Sequence, residues 1–278
     1  MYHKSSERGQ ILLIVVITMI VALTVGLSIA ARTVTELRLS RQNEESQRAF
    51  NAAEAGIDRV LQEGGEIVLS QELGNNADFQ VSAVEYAGAQ LMLNNGDIVD
   101  QDVGADVWLS SYPDYTDQIA NAQLSIYWGG EDQVNCTATS EVRPALEVVV
   151  LQGNVLNPTI EKYLYDTCPT NSRTLGTLMG SSYDVYTVAG IPGQTFRNRT
   201  SAPISITNGI IMKIIPLYNS TKIAVVATDS SGTPLALPSQ GSVIESTGTS
   251  GETIRKITYY QSYPQLPLEV FPYSIISQ

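Results

Sequence analysis

Hydrophobic and polar positions follow two different patterns along this chain, and the change falls near residue 63. Residues 11–31 form a run of 21 without a charge, which as α-helix covers about 31 Å and matches a bilayer core of about 30 Å. The run passes without proline into charged sequence. There Arg32 with Glu36 and Glu44 with Arg48 stand four residues apart, a spacing worth about 0.2–0.5 kcal/mol per pair on an exposed helix face. Further on, Phe50, Ala53, Ile57, Val60 and Leu61 recur at the steps of one buried stripe, and Gly64-Gly65 is a stop signal. The pattern predicts one helix over residues 10–63, transmembrane over 11–31 and amphipathic over 32–62, about 80 Å long. A cleaved secretory signal is the alternative. Its apolar core runs only about 7–15 residues before loop-like mature sequence, whereas here the helical pattern continues.

Past residue 63 the pattern changes to short runs rich in Val, Ile and Tyr, at 78–86, 89–93, 124–128, 145–151, 161–165, 183–188, 210–218, 222–227 and 253–260. Asn95-Gly96, Asn208-Gly209 and Ser231-Gly232 mark turns, the first two with hairpin chemistry. No later stretch has helical periodicity. The fold class expected is therefore α+β, a long N-terminal helix followed by a mainly antiparallel β globular region over residues 64–278. That length suits one large or two small domains. The Ser/Gly/Thr/Pro-rich stretch 230–250 reads as an exposed loop or an internal boundary.

Charge sharpens the division. Residues 10–62 carry five basic and five acidic side chains, whereas residues 63–278 carry 9 basic and 22 acidic ones. A domain so acidic repels phosphate backbones and anionic headgroups, so no nucleic-acid partner is expected. Lys4 and Arg8 precede the apolar run and Arg32, Arg38 and Arg41 follow it, a near balance that fixes orientation only weakly. The short flank is the one expected to stay inside. Within the run, Ala22, Gly26 and Ala30 lie four apart, a spacing that lets membrane helices approach closely; the ordinary abundance of small residues in such helices explains them too.

The chemistry-bearing residues exclude more than they indicate. The single His of the sequence is His3, so no Ser-His-Asp or Cys-His system exists beyond it, and no zinc-protease, phosphate-loop or dinucleotide fingerprint is present. Asp97, Asp100, Asp102 and Asp106 form a local acidic group of the kind that serves carboxylate-pair catalysis or Ca²⁺. The alternating ligand pattern of a calcium loop is missing, so they read as solvated loop acids; no metal, cofactor or enzymatic activity is expected. Cys136 and Cys168, the only cysteines, read as a disulfide in an extracytoplasmic domain, with two independent thiols as the alternative. Tyr112, Tyr115, Tyr127, Trp128, Tyr259, Tyr260, Tyr263 and Tyr273 suit core and strand faces, or else a surface that contacts sugar or protein.

Residues 8–40, RGQILLIVVITMIVALTVGLSIAARTVTELRLS, followed by ESQRAFNAAEAGID, resemble the N-terminus of type IV pilin-like proteins, especially minor pilins of the PilX type. A weaker likeness runs through STGTSGETIRKITYYQSYPQLPLEVFPYSIIS near the other end. The resemblance implies a basic leader, residues 1–9, cut by a membrane prepilin peptidase between Gly9 and Gln10, with Gln10 then methylated. It implies a β domain covering the apolar stripe of the outer helix, contacts with other pilins through the helix, and an inner-membrane assembly platform as partner. The location implied is a single-pass cytoplasmic membrane protein with its C-terminal domain outside, later displayed on a pilus at the cell surface. Two positions depart from the family. Its shaft subunits carry Glu at the fifth mature position, where this chain has Ile14, and most members begin with Phe or Met rather than Gln10. A membrane-buried Glu costs about 2.5–3.5 kcal/mol unless paired, so its absence removes an ionic register and implies a tip or priming subunit. A never-cleaved surface adhesin and, more remotely, a membrane-anchored hydrolase using the Asp97 to Asp106 acids are the competing expectations.

Overall fold

The computed structural model describes residues 8–63, 68–74, 76–137, 142–168, 173 and 176–266. The chain forms two compact units, Met1–Ala83 with Ile244–Tyr259 and Val84–Val243 with Tyr260–Gln278. The chain thus leaves the first unit after Ala83, returns to it over Ile244–Tyr259 and ends in the second.

The first unit is built on one helix, α1 (Arg8–Glu63), 56 residues and about 84 Å long. It contains no proline and ends where the sequence pattern ends; Gly64-Gly65 lie outside the described residues. Strands β1 (Val68–Leu73), β2 (Ala77–Glu85), β12 (Gly241–Ser250) and β13 (Thr253–Ser262) form a four-stranded sheet in the order β1-β2-β12-β13. β1 and β2 are antiparallel, with Val68 opposite Ser82. β12 and β13 are joined by a two-residue turn in which Gly251 takes φ 58°, the left-handed conformation a tight hairpin needs. Ala52, Ile57 and Val60 of α1 pack with Phe79, Val81 and Ile244 to make this unit's core.

The helix stripe is displaced from the one expected. Ala53 and Ile57 are buried, but Phe50 and Leu61 are 45% and 40% exposed, and Ala49, Ala52 and Gly56 take the inward positions. The cause is close approach. A Cβ on Gly248 of β12 would run into the Ala49 carbonyl and sit 2.5 Å from the Ala53 backbone nitrogen, and one on Gly56 would lie 2.9 Å from Phe79. Small residues let helix and strand backbones meet, and a phenyl ring at Ala49 has no room. Of the two readings of 230–250, the exposed loop is corrected, since its second half is β12, whose Ile244, Ser246 and Gly248 are buried; the change from one unit to the other falls within it, between Val243 and Ile244.

The second unit holds β3 (Gln90–Met92), β4 (Ala105–Trp108), β5 (Ile119–Trp128), β6 (Ala145–Asn154), β7 (Asn157–Tyr165), β8 (Ser181–Thr187), β9 (Thr195–Thr200), β10 (Ile204–Leu217) and β11 (Ile223–Thr228). Their order is β3-β11-β5-β10-β6-β7, with β4 added to β10, β9 to β5, and β8 to β9. β10 organises the sheet. Its first half pairs with β5 and its second half with β4 on the same edge, while β6 runs along the other edge from Gly209 to Leu217. Asn208-Gly209, expected as a hairpin turn, is instead the bulge that makes this hand-over possible: Asn208 takes φ 52° and the register shifts between Gly209 and Ile211. Leu124, Ile126, Trp128, Val148, Met212 and Ile214 fill the core.

Candidate functional site

The surface of α1 is the first feature with a functional meaning. Every described side chain from residue 12 to residue 44 is exposed, including Leu12, Ile17, Leu23 and Leu27. The helix is long and apolar enough to cross a membrane, and its most apolar stretch is left uncovered by the described residues. The polar groups inside that stretch are satisfied locally, since the Thr18 and Thr24 hydroxyls donate to the Val15 and Val21 carbonyls at 2.9 Å. Such internal pairing is what a segment in hydrocarbon requires. Ala22, Gly26 and Ala30 lie on this exposed surface, and nothing approaches within 4 Å of the position a Cβ on Gly26 would take. Arg8, Gly9 and Gln10 form the first turn of α1, described by backbone alone, and Lys4 lies outside the described residues. Past the span, Glu44 pairs with Arg48 and Arg59 with Glu63; no ion pair joins Arg32 to Glu36 among the described residues.

Cys136 and Cys168 are bonded, with Cα atoms 5.5 Å apart. Beside them lies a buried ion pair, Arg173 to Asp166 at 3.3 Å. Asp166 Oδ1 also accepts the Cys168 backbone N–H at 2.9 Å.

The four aspartates do not act together. Asp97, Asp100 and Asp102 are exposed loop acids, as expected, whereas Asp106 is a correction. It stands on β4 directly opposite Lys213 of β10, its carboxylate 2.7 Å from the ammonium and both side chains 3% exposed. The Leu266 backbone N–H donates to Asp106 Oδ2 at 2.6 Å. Burial pushes the Asp106 carboxyl above its ordinary range, against the opposing pull of Lys213 and of the Leu266 N–H.

Three of the eight aromatic candidates converge. Tyr112 and Tyr263 meet the buried Trp108 edge-on, with ring centroids 5.0 and 6.2 Å away, and Tyr115 lies 5.9 Å from it. Tyr112 and Tyr263 are half-buried and border an open groove of about 380 Å³ with Glu85, Ser111, Asp117 and Pro238. Gln240 fixes the Trp108 backbone, accepting from its N–H at 2.8 Å and donating to its carbonyl at 2.9 Å.

No protein-family model matches this sequence, and no curated protein matches it either.

The remaining aromatics are structural or apart. Trp128 is fully buried and donates its indole N–H to the Pro144 carbonyl at 2.9 Å, and Tyr127 packs against Tyr186 and Phe196. Tyr259 and Tyr260 are exposed on β13, and Tyr273 lies outside the described residues. Sequence reasoning missed Trp108 and Lys213. The signal for Lys213 was present, since a lone Lys in IIMKIIPL cannot alternate to solvent in a strand buried on both faces.

Proposed function

We propose that this chain is a minor pilin-like subunit, anchored by residues 11–31, cut after Gly9 and assembled through α1 into a type IV pilus-like filament in an initiating, tip or attachment role. The observation that carries the reading is the division of α1. Its inner half presents a bare apolar surface with small residues at four-residue spacing, and its outer half is closed by an antiparallel sheet packed on Ala49, Ala53 and Gly56. A helix built this way is soluble at one end and needs lipid or neighbouring helices at the other. Ile14, in the place of the shaft-subunit Glu, removes the charged register and favours a position at the end of a filament. The groove at Tyr112 and Tyr263 supports the attachment role, because half-exposed tyrosines beside polar side chains are common contact surface.

Cleavage tests the reading. In cells that hold a prepilin peptidase, the wild-type chain is expected to shorten by its first nine residues, and Gly9→Val, which crowds the scissile bond, to stay full-length and out of filaments sheared from the surface. Equal lengths for the two chains overturn the proposal in favour of the uncleaved adhesin.

A further inference from the structure

Asp106 and Lys213 face each other across adjacent antiparallel strands, on the side of the sheet that also carries Trp108 and Ile211. Cross-strand partners sit close by geometry, and here the stem of Lys213 is steered by Gly104: a Cβ at that position would lie 2.8 Å from Lys213 Cγ and Cδ. Both head groups are withdrawn from water, at 3% exposure each. Each Asp106 oxygen has its own close contact: Lys213 Nζ lies 2.7 Å from Oδ1, and the Leu266 N–H donates to Oδ2 at 2.6 Å. The two oxygens are thereby made unequal, one contacting the amine and the other fixed by a backbone donor.

We propose that Asp106 and Lys213 condense into an intramolecular amide that joins β4 to β10 covalently. The pair already holds the protons the reaction needs. Transfer of one proton from Nζ to Oδ1 across 2.7 Å gives a neutral amine and a carboxylic acid, the form that a low-dielectric site favours over two buried charges. The Nζ lone pair attacks Cγ, and the charge that develops on Oδ2 is met by the Leu266 N–H, which acts as an oxyanion donor. The Cγ–Oδ1 bond then breaks. Oδ1 leaves as water with the transferred proton and a second one from the amine, and the carbonyl re-forms on Oδ2. One C–N bond is made, one C–O bond is lost, and nothing is oxidised or reduced. A cavity of about 70 Å³ bordered by Asp106, Tyr86, Trp108, Gln240 and Tyr263 has room for the released water. The driving terms are the fixed proximity of the two groups and the permanent removal of two buried charges.

The amide does not depend on the filament assignment, and its test is separate. Full-length protein, purified from its membrane and reduced at Cys136–Cys168, is digested with trypsin and sequenced by tandem mass spectrometry. The expected product is a branched peptide joining the β4 and β10 segments through Asp106 and Lys213, one water lighter than its two components, with no cleavage at Lys213. Lys213→Arg, which keeps the charge and cannot form the bond, is expected to yield only linear peptides. Asp106→Asn is expected to restore the branch with loss of ammonia in place of water. Linear peptides alone from wild-type protein, with trypsin cutting after Lys213, overturn the proposal whether or not either variant folds.

Discussion

At Gly248 a hydrogen in place of a side chain sets how closely β12 approaches the helix. Gly248→Ala drives a methyl group into the Ala49 carbonyl, and neither backbone can retreat without opening the core around Phe79 and Ile244. The expected loss is about 1–3 kcal/mol, the usual cost of overpacking, read as a lowered unfolding midpoint. Phe50→Ala, by contrast, removes a ring that is 45% exposed and is expected to change stability by less than about 0.5 kcal/mol. The two outcomes together separate the observed stripe from the one implied by residue size. Hydrophobic spacing located the packed half of the helix and both Ala53 and Ile57, yet ranked Phe50 above Ala49. Spacing reports which side faces inward, and the distance to what lies there decides whether a large or a small residue fits.

Strands were legible where β-branched residues accumulate and illegible where partners supply the stability. β6 and β11 are rich in Val and Ile and their apolar runs mark them within a few residues, whereas the runs catch only the second half of β5 and miss the first six residues of β10. β12, GSVIESTGTS, reads as a loop because Ser, Gly and Thr are turn residues; it is a strand because β2 and β13 flank it and α1 covers one face. β9, TFRNRT, hides in the same way, with Asn198 fully buried and donating to the Trp128 carbonyl. The loops of the second unit carry a covalent tie as well. Cys136 and Cys168 enclose 33 residues, and replacing both with Ser is expected to lower stability by about 3–4 kcal/mol in the chain-entropy account. Chemical unfolding of the double variant beside the oxidised wild type measures it, and equal midpoints would show that the loop is ordered without the bond.

For the whole molecule, the contrast between 21 uncharged residues, long and apolar enough to cross a membrane, and a −13 region after them was plain in the sequence. The pairing of β2 with β12 was not legible, since chain order carries no mark of which strands meet across 155 intervening residues. The acidic group was legible as four aspartates but not as three solvated acids and one buried partner of Lys213, because burial at Asp106 is created by β10. In the proposed filament, the exposed small-residue face of α1 would serve assembly and not folding. Gly26→Leu is therefore expected to leave the unfolding midpoint unchanged and to reduce recovery of the chain in sheared filaments several-fold; recovery equal to wild type would remove that face from the assembly contact. The proposed processing and assembly are tested by N-terminal mass spectrometry of the chain from native membranes and from sheared surface filaments. The expected result is a filament fraction whose chains begin at a methylated Gln10. Chains that retain residues 1–9 and occur only in the membrane would contradict it.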